Sequence, residues 1–106
     1  MSHVLTKVLS LVAVTAPGPG NSMPESDATN FTVILIGTGA TPNAVVGFET
    51  QLLDGTWPTI ATFSLAGGGL TAPSLNQAVK GPLGPTRLNV YNMGGLSAIT
   101  GEIIST

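Results

Sequence analysis

The sequence predicts an all-β protein, an antiparallel β-sandwich or jelly roll of roughly six to eight short strands. Three observations carry this reading. Apolar and polar residues alternate along several short runs, as strands with one buried face require. The chain has 14 glycines and 8 prolines, which punctuate those runs at turn positions. The runs are rich in Val, Ile and Thr and lack the caps and charged stripe of an amphipathic helix.

The elements follow in chain order. Val4 to Ala16 admits two periodicities. Leu5, Val8, Leu9 and Val12 would form a helical stripe, while Val4, Val8, Val12 and Val14 share parity. Its β-branched content and missing cap favour a strand. "PGPGNSMPESDATN" (17–30) has three prolines, two Pro-Gly pairs and no alternation, so it reads as an extended loop or arm ordered by another chain, whether a neighbouring subunit or the surface of a larger particle. "FTVILI" (31–36) is a continuous apolar run, which suits a strand buried on both faces. "GTGATPNA" (37–44) breaks it.

Residues 45–53 and 57–65 then flank Asp54-Gly55-Thr56, and Asp-Gly between alternating runs is a hairpin signal. Val46, Phe48, Thr50 and Leu52 share one face of the first run, opposite Glu49 and Gln51. Trp57, Thr59, Ala61, Phe63 and Leu65 share one face of the second. The other face carries Pro58, Ile60, Thr62 and Ser64, with no charge to meet water. In the long connection 66–85 a short strand is expected near Gln77 to Lys80. "TRLNVYN" (86–92) sets Leu88 and Val90 against Arg87, Asn89 and Tyr91, and "MGGL" (93–96) turns the chain. A last strand over 97–104 places Ile99 and Ile103 on one face.

At 106 residues the chain is one domain, 1–106, with room for a single core. Charged residues make up only 8%, against roughly 25% in a typical soluble chain. Lys7, Lys80 and Arg87 are the cations, too few for a nucleic-acid or anionic-lipid footprint. No stretch of about 18 apolar residues offers a membrane-spanning helix, and one Trp and one Tyr cannot build the aromatic girdles of a membrane barrel. Without cysteine there is no disulfide or thiolate metal site. Lys7 ahead of "VLSLVAVTA" (8–16) imitates a secretory signal. Pro17 directly after the would-be cleavage site is a poor context, so the segment is read as mature structure.

Candidate chemistry is sparse. "GTGATP" follows a strand as a dinucleotide fingerprint would, but Pro42 replaces the third glycine and a strand follows. No helix N-terminus can then hold a pyrophosphate, and a plain β–β connection is expected. His3 is the one histidine, three residues from the start and without an orienting partner in sequence. Asp54 is accounted for by the turn and Glu49 by an outward strand position, so the two are not read as an acid–base pair. Asn30-Phe31-Thr32 matches a glycosylation sequon. Trp57 is expected to cap the core at the hairpin mouth; the competing role is a carbohydrate platform with Tyr91. Arg87 is expected at a subunit rim, in an ion pair or hydrogen bond to a neighbouring subunit; the competing role is a solvated surface charge. The expectation is a non-enzyme with no catalytic, cofactor or metal residues.

The hairpin "FETQLLDGTWPTIATF" and the closing "GPLGPTRLNVYNMGGLSAITGEI" resemble small virion proteins of tailed bacteriophages, of the capsid decoration or cement type. Those proteins carry a strand, a DG-T-W turn and a second strand. They finish with a G-P-x-x-x-x-R-L/V-x-V strand, a glycine turn and a β-branched strand. The resemblance implies a β-sandwich or jelly roll with a structural role on the capsid surface. Its partners would be the major capsid protein or other virion subunits, with self-association for which a trimer is the first expectation. A tail or adaptor component, or a glycan-binding module on the particle, is the alternative. The scarcity of charge points the same way, because charge is depleted at interface cores.

Overall fold

A computed structural model describes residues 6–25, 30–40, 42–65 and 84–105. Among these residues there are seven strands and no helix: β1 (Thr6–Val14), β2 (Gly18–Met23), β3 (Phe31–Gly39), β4 (Ala44–Thr50), β5 (Thr59–Leu65), β6 (Thr86–Asn92) and β7 (Leu96–Ser105). They form two antiparallel sheets, ordered β1-β7-β3 and β2-β6-β4-β5. The architecture is the expected β-sandwich. The suggested strand near Gln77 to Lys80, His3 and Lys80 lie outside the described residues.

Alternation builds the core. Val33, Leu35, Ile99 and Ile103 face inward from one sheet, and Val46, Phe48, Leu88 and Val90 from the other. The Phe31 and Phe48 rings meet across the gap with centroids 6.1 Å apart. Met23, Phe63 and Leu65 complete the four-stranded side. "GTGATP" is indeed a β–β connection: Gly37 to Gly39 extend β3, and β4 begins at Ala44. The connections at this end hold one another, since Ala40 N–H donates to the Gly95 carbonyl and Gly95 N–H to that of Pro42, each at 2.9 Å.

Two expectations are corrected by pairing. Gly18–Met23, inside the anticipated arm 17–30, is a strand of the domain's own sheet: Gly18 faces Val90 and Met23 faces Thr86. Met23 is buried in the core, so the argument for ordering of this stretch by another chain falls. Pro19 is tolerated because β2 is an edge strand, where one side of the backbone needs no ladder partner. Nor is β3 buried on both faces. It is an edge strand too, and its outer face leaves Ile36 45% exposed.

The Ser10 side chain joins the two sheets near their β1 and β2 edges. The register of β1 against β7 shifts between Leu9 and Leu11, turning Ser10 into the interior. The Ser10 hydroxyl donates to the Asn21 carbonyl at 2.7 Å and accepts from the Leu88 N–H at 3.0 Å. The β2–β6 register shifts between Pro19 and Ser22, opposite this stretch of β6. Ser10 thus supplies the acceptor that the interrupted ladder does not.

The hairpin turn forms around the expected residues, at the end of a longer loop. Asp54 Oδ1 accepts from the Thr56 N–H at 2.9 Å and its hydroxyl at 2.6 Å. Those bonds hold the Asp54 carboxyl below its ordinary pKa. Gly55 has φ of +88°, a conformation that costs any residue with a Cβ. Gly55→Val is therefore expected to lose about 1–2 kcal/mol in denaturant unfolding; an unchanged midpoint would show that the turn carries no such strain.

Candidate interaction surface

The four-stranded sheet carries a polar cluster on its outer face. β4 turns Glu49 outward, directly opposite Arg87 on β6, and the β6 alternation brings Asn89 and Tyr91 to the same face. Glu49 Oε1 accepts from Arg87 Nε at 2.8 Å, while Oε2 accepts from Asn89 Nδ2 at 3.2 Å and the Tyr91 hydroxyl at 2.5 Å. Tyr91 also meets the Thr59 hydroxyl at 2.5 Å. With its own proton on Glu49, Tyr91 accepts from Thr59. The tyrosine ring lies across Gly47, where any Cβ would collide with it. The absence of a side chain at Gly47 is thus what lets the phenol reach Glu49.

Trp57 belongs to this cluster and does not cap the core. Phe48 faces Ala61, but the next β4 residue, Glu49, faces Thr59, so Ile60 is an extra residue in β5. One inserted residue reverses the facing of everything before it. Thr59 consequently sides with Glu49, and the half-buried Trp57 ring sits 4.0 Å from the Arg87 guanidinium carbon. Arg87, expected at a subunit rim, is ion-paired and stacked within its own chain. Glu49, expected at an ordinary outward position, is only 4% exposed. Opposite charges at outward positions of neighbouring runs, with Asn89 and Tyr91 in parity with Arg87, were the available signal.

Chemically the cluster is a closed network. The Glu49 carboxylate is engaged on both oxygens by three donors, so it ties β4 to β6. Burial, and then Glu49, push the Tyr91 hydroxyl above its ordinary value of 10.0. A raised pKa means that the protonated form is favoured by folding. Its contribution is full below pH 10 and is lost as pH rises through the folded-state value. Because the chain has a single tyrosine, an absorbance titration reports it alone. The midpoint is expected above 10.0 in the folded protein and back at the ordinary value after unfolding; coincident midpoints would contradict the contact. Among the described residues no group of three His, Cys, Asp or Glu side chains could hold a metal ion.

The opposite outer face is different in kind. On the three-stranded sheet Leu9 is 45% and Ile36 45% exposed, with Val12 at 56% in the distorted end of β1. Ile34 and Ile104 lie half-buried among them, and Lys7 and Glu102 are the charges on this face. A second apolar feature is the hairpin tip. β4 ends at Thr50, where Gln51 N–H turns to the Pro85 carbonyl at 2.8 Å, so Leu52 leaves the core face it was expected to share. Leu52 and Leu53 are both exposed at the tip, Leu53 fully. On β5, Ile60, Thr62 and Ser64 are exposed as anticipated.

The fold is similar to that of a solved structure, the SPBc2 prophage-derived protein YomS. The TM-score is 0.60 and the identity 15%, over 96% of this chain and 94% of that one. The likeness is one of fold. A scan of protein-family models and a search of curated proteins give no match.

Proposed function

We propose that this protein is a structural component of a tailed-phage virion, and within that class a decoration or cement protein that binds the head surface and stabilises the capsid lattice. The observation that carries the reading is the outer face of the three-stranded sheet. Leu9, Val12 and Ile36 stand exposed there, with Ile34 and Ile104 between them and only Lys7 and Glu102 for charge. On a chain with three basic and five acidic residues, little opposes association of that face with another protein. A fold shared with a prophage-derived protein supports the phage setting.

A glycan-binding module on the particle is the second reading. It is favoured by Trp57 and Tyr91 lying on one sheet face, and weakened because Arg87 covers one side of the indole and Glu49 holds the phenol. Low-resolution imaging of particles with and without the protein tests the main proposal. Added density on the head shell is the expected result. Density on the tail alone would move the protein to the tail or adaptor class, and no particle density would overturn the proposal.

A further inference from the structure

We infer that two copies of this chain pair along β3, edge to edge and antiparallel, to join their three-stranded sheets into one. The inference deepens the assembly reading and rests on its self-association component.

Among the described residues the two sheets end at four edges, β1 and β3 in one sheet and β2 and β5 in the other. Exposed edges invite pairing with other chains, and proteins blunt them with bulges, prolines or charge. Three of these edges are blunted. β1 carries Lys7, two register shifts and Ala13 at φ +45°. β2 carries Pro19 and a register shift. β5 carries the Ile60 insertion, with Pro58 just before it. β3 has none of these devices before its last residue, Gly39, where the register with β7 shifts and φ is +131°. Phe31 to Thr38 keep unbroken register with β7, and the strand contains no proline and no charged residue. Its other side has no strand partner among the described residues.

The strand is also chemically complementary to itself. When a strand pairs with its two-fold copy about a residue, each face meets its own kind. Full overlap of Phe31–Gly39 puts the axis at Leu35. Ile34 then lies opposite Ile36 of the second copy and Thr32 opposite Thr38 on the outer face. On the inner face Val33 lies opposite Gly37. Isoleucine meets isoleucine, threonine meets threonine, Leu35 meets its own copy and Val33 meets a glycine. Such cross-strand pairs are the favourable ones in antiparallel sheets. With no charge in β3, two copies approach without like-charge repulsion. Pairing also makes the apolar outer faces of both copies continuous, giving one larger surface for a virion partner.

The register supplies the test. Thr32→Lys with Thr38→Lys sets like charges opposite each other at two symmetry-related places; Thr32→Lys with Thr38→Glu sets opposite charges there. Sedimentation analysis of the full chain is expected to show a dimer. The Lys/Lys variant should weaken it about tenfold or more relative to Lys/Glu, with both variants retaining the parent's β spectrum. Alternate β3 amides should gain hydrogen-exchange protection as concentration rises. A monomer up to about millimolar concentration, or an oligomer equally stable in both variants, overturns β3 pairing. Particle binding by such a protein would still uphold the assembly reading. A register-sensitive dimer that binds no particle would uphold the pairing and sink that reading instead.

Discussion

Glu49→Ala is expected to lower unfolding stability by about 3–5 kcal/mol, the usual cost of removing one partner from a buried ion pair. The size follows from what the substitution strands. Arg87 stays under Trp57 with its side chain one-fifth exposed, too enclosed for water to replace the carboxylate fully. Asn89 and Tyr91 lose their acceptor at the same time. The comparison that isolates the cause is the double variant Glu49→Leu with Arg87→Met. It removes the whole pair and leaves no orphaned charge, so it should cost less than the single change. Chemical denaturation with matched slopes measures both. A loss under about 1 kcal/mol for Glu49→Ala would place the pair among solvated surface pairs.

Ser10→Ala should cost about 1–3 kcal/mol, the price of leaving a buried backbone group unpaired. The Leu88 N–H has the Ser10 hydroxyl as its acceptor, and Leu88 is buried in the core. Alanine fits the space and removes the oxygen, so packing is retained while the N–H is orphaned. Hydrogen exchange should show the Leu88 amide losing protection more than its neighbours on β6. Uniform loss along β6 would mean that Ser10 acts through packing alone.

The parts of the fold legible in the sequence are those where alternation runs unbroken. Val46 with Phe48, Leu88 with Val90 and Ile99 with Ile103 each share parity, and all six are buried. The Asp54-Gly55 turn was legible because a positive φ narrows the choice of residue. β2 was not, because its membership is decided by backbone pairing and only Met23 of its residues is fully buried in the core. A run such as "FTVILI" looks the same in a central strand and at an apolar edge, so the open face of β3 was hidden. Trp57 was misplaced by a single extra residue, Ile60, since a period of two tolerates no insertion. The cluster's polar residues were each visible. What brought them together was the register of β4 on β6, which sequence spacing does not encode.

The assembly proposal meets its most direct test on tailed-phage particles of the kind it names, assembled without this protein. Purified protein is titrated onto them, and bound copies per particle are counted alongside survival on heating. Saturable binding at a fixed copy number, with greater resistance to heat, is the predicted result. A protein that stays monomeric at high concentration, does not bind, and leaves heat survival unchanged would contradict the account.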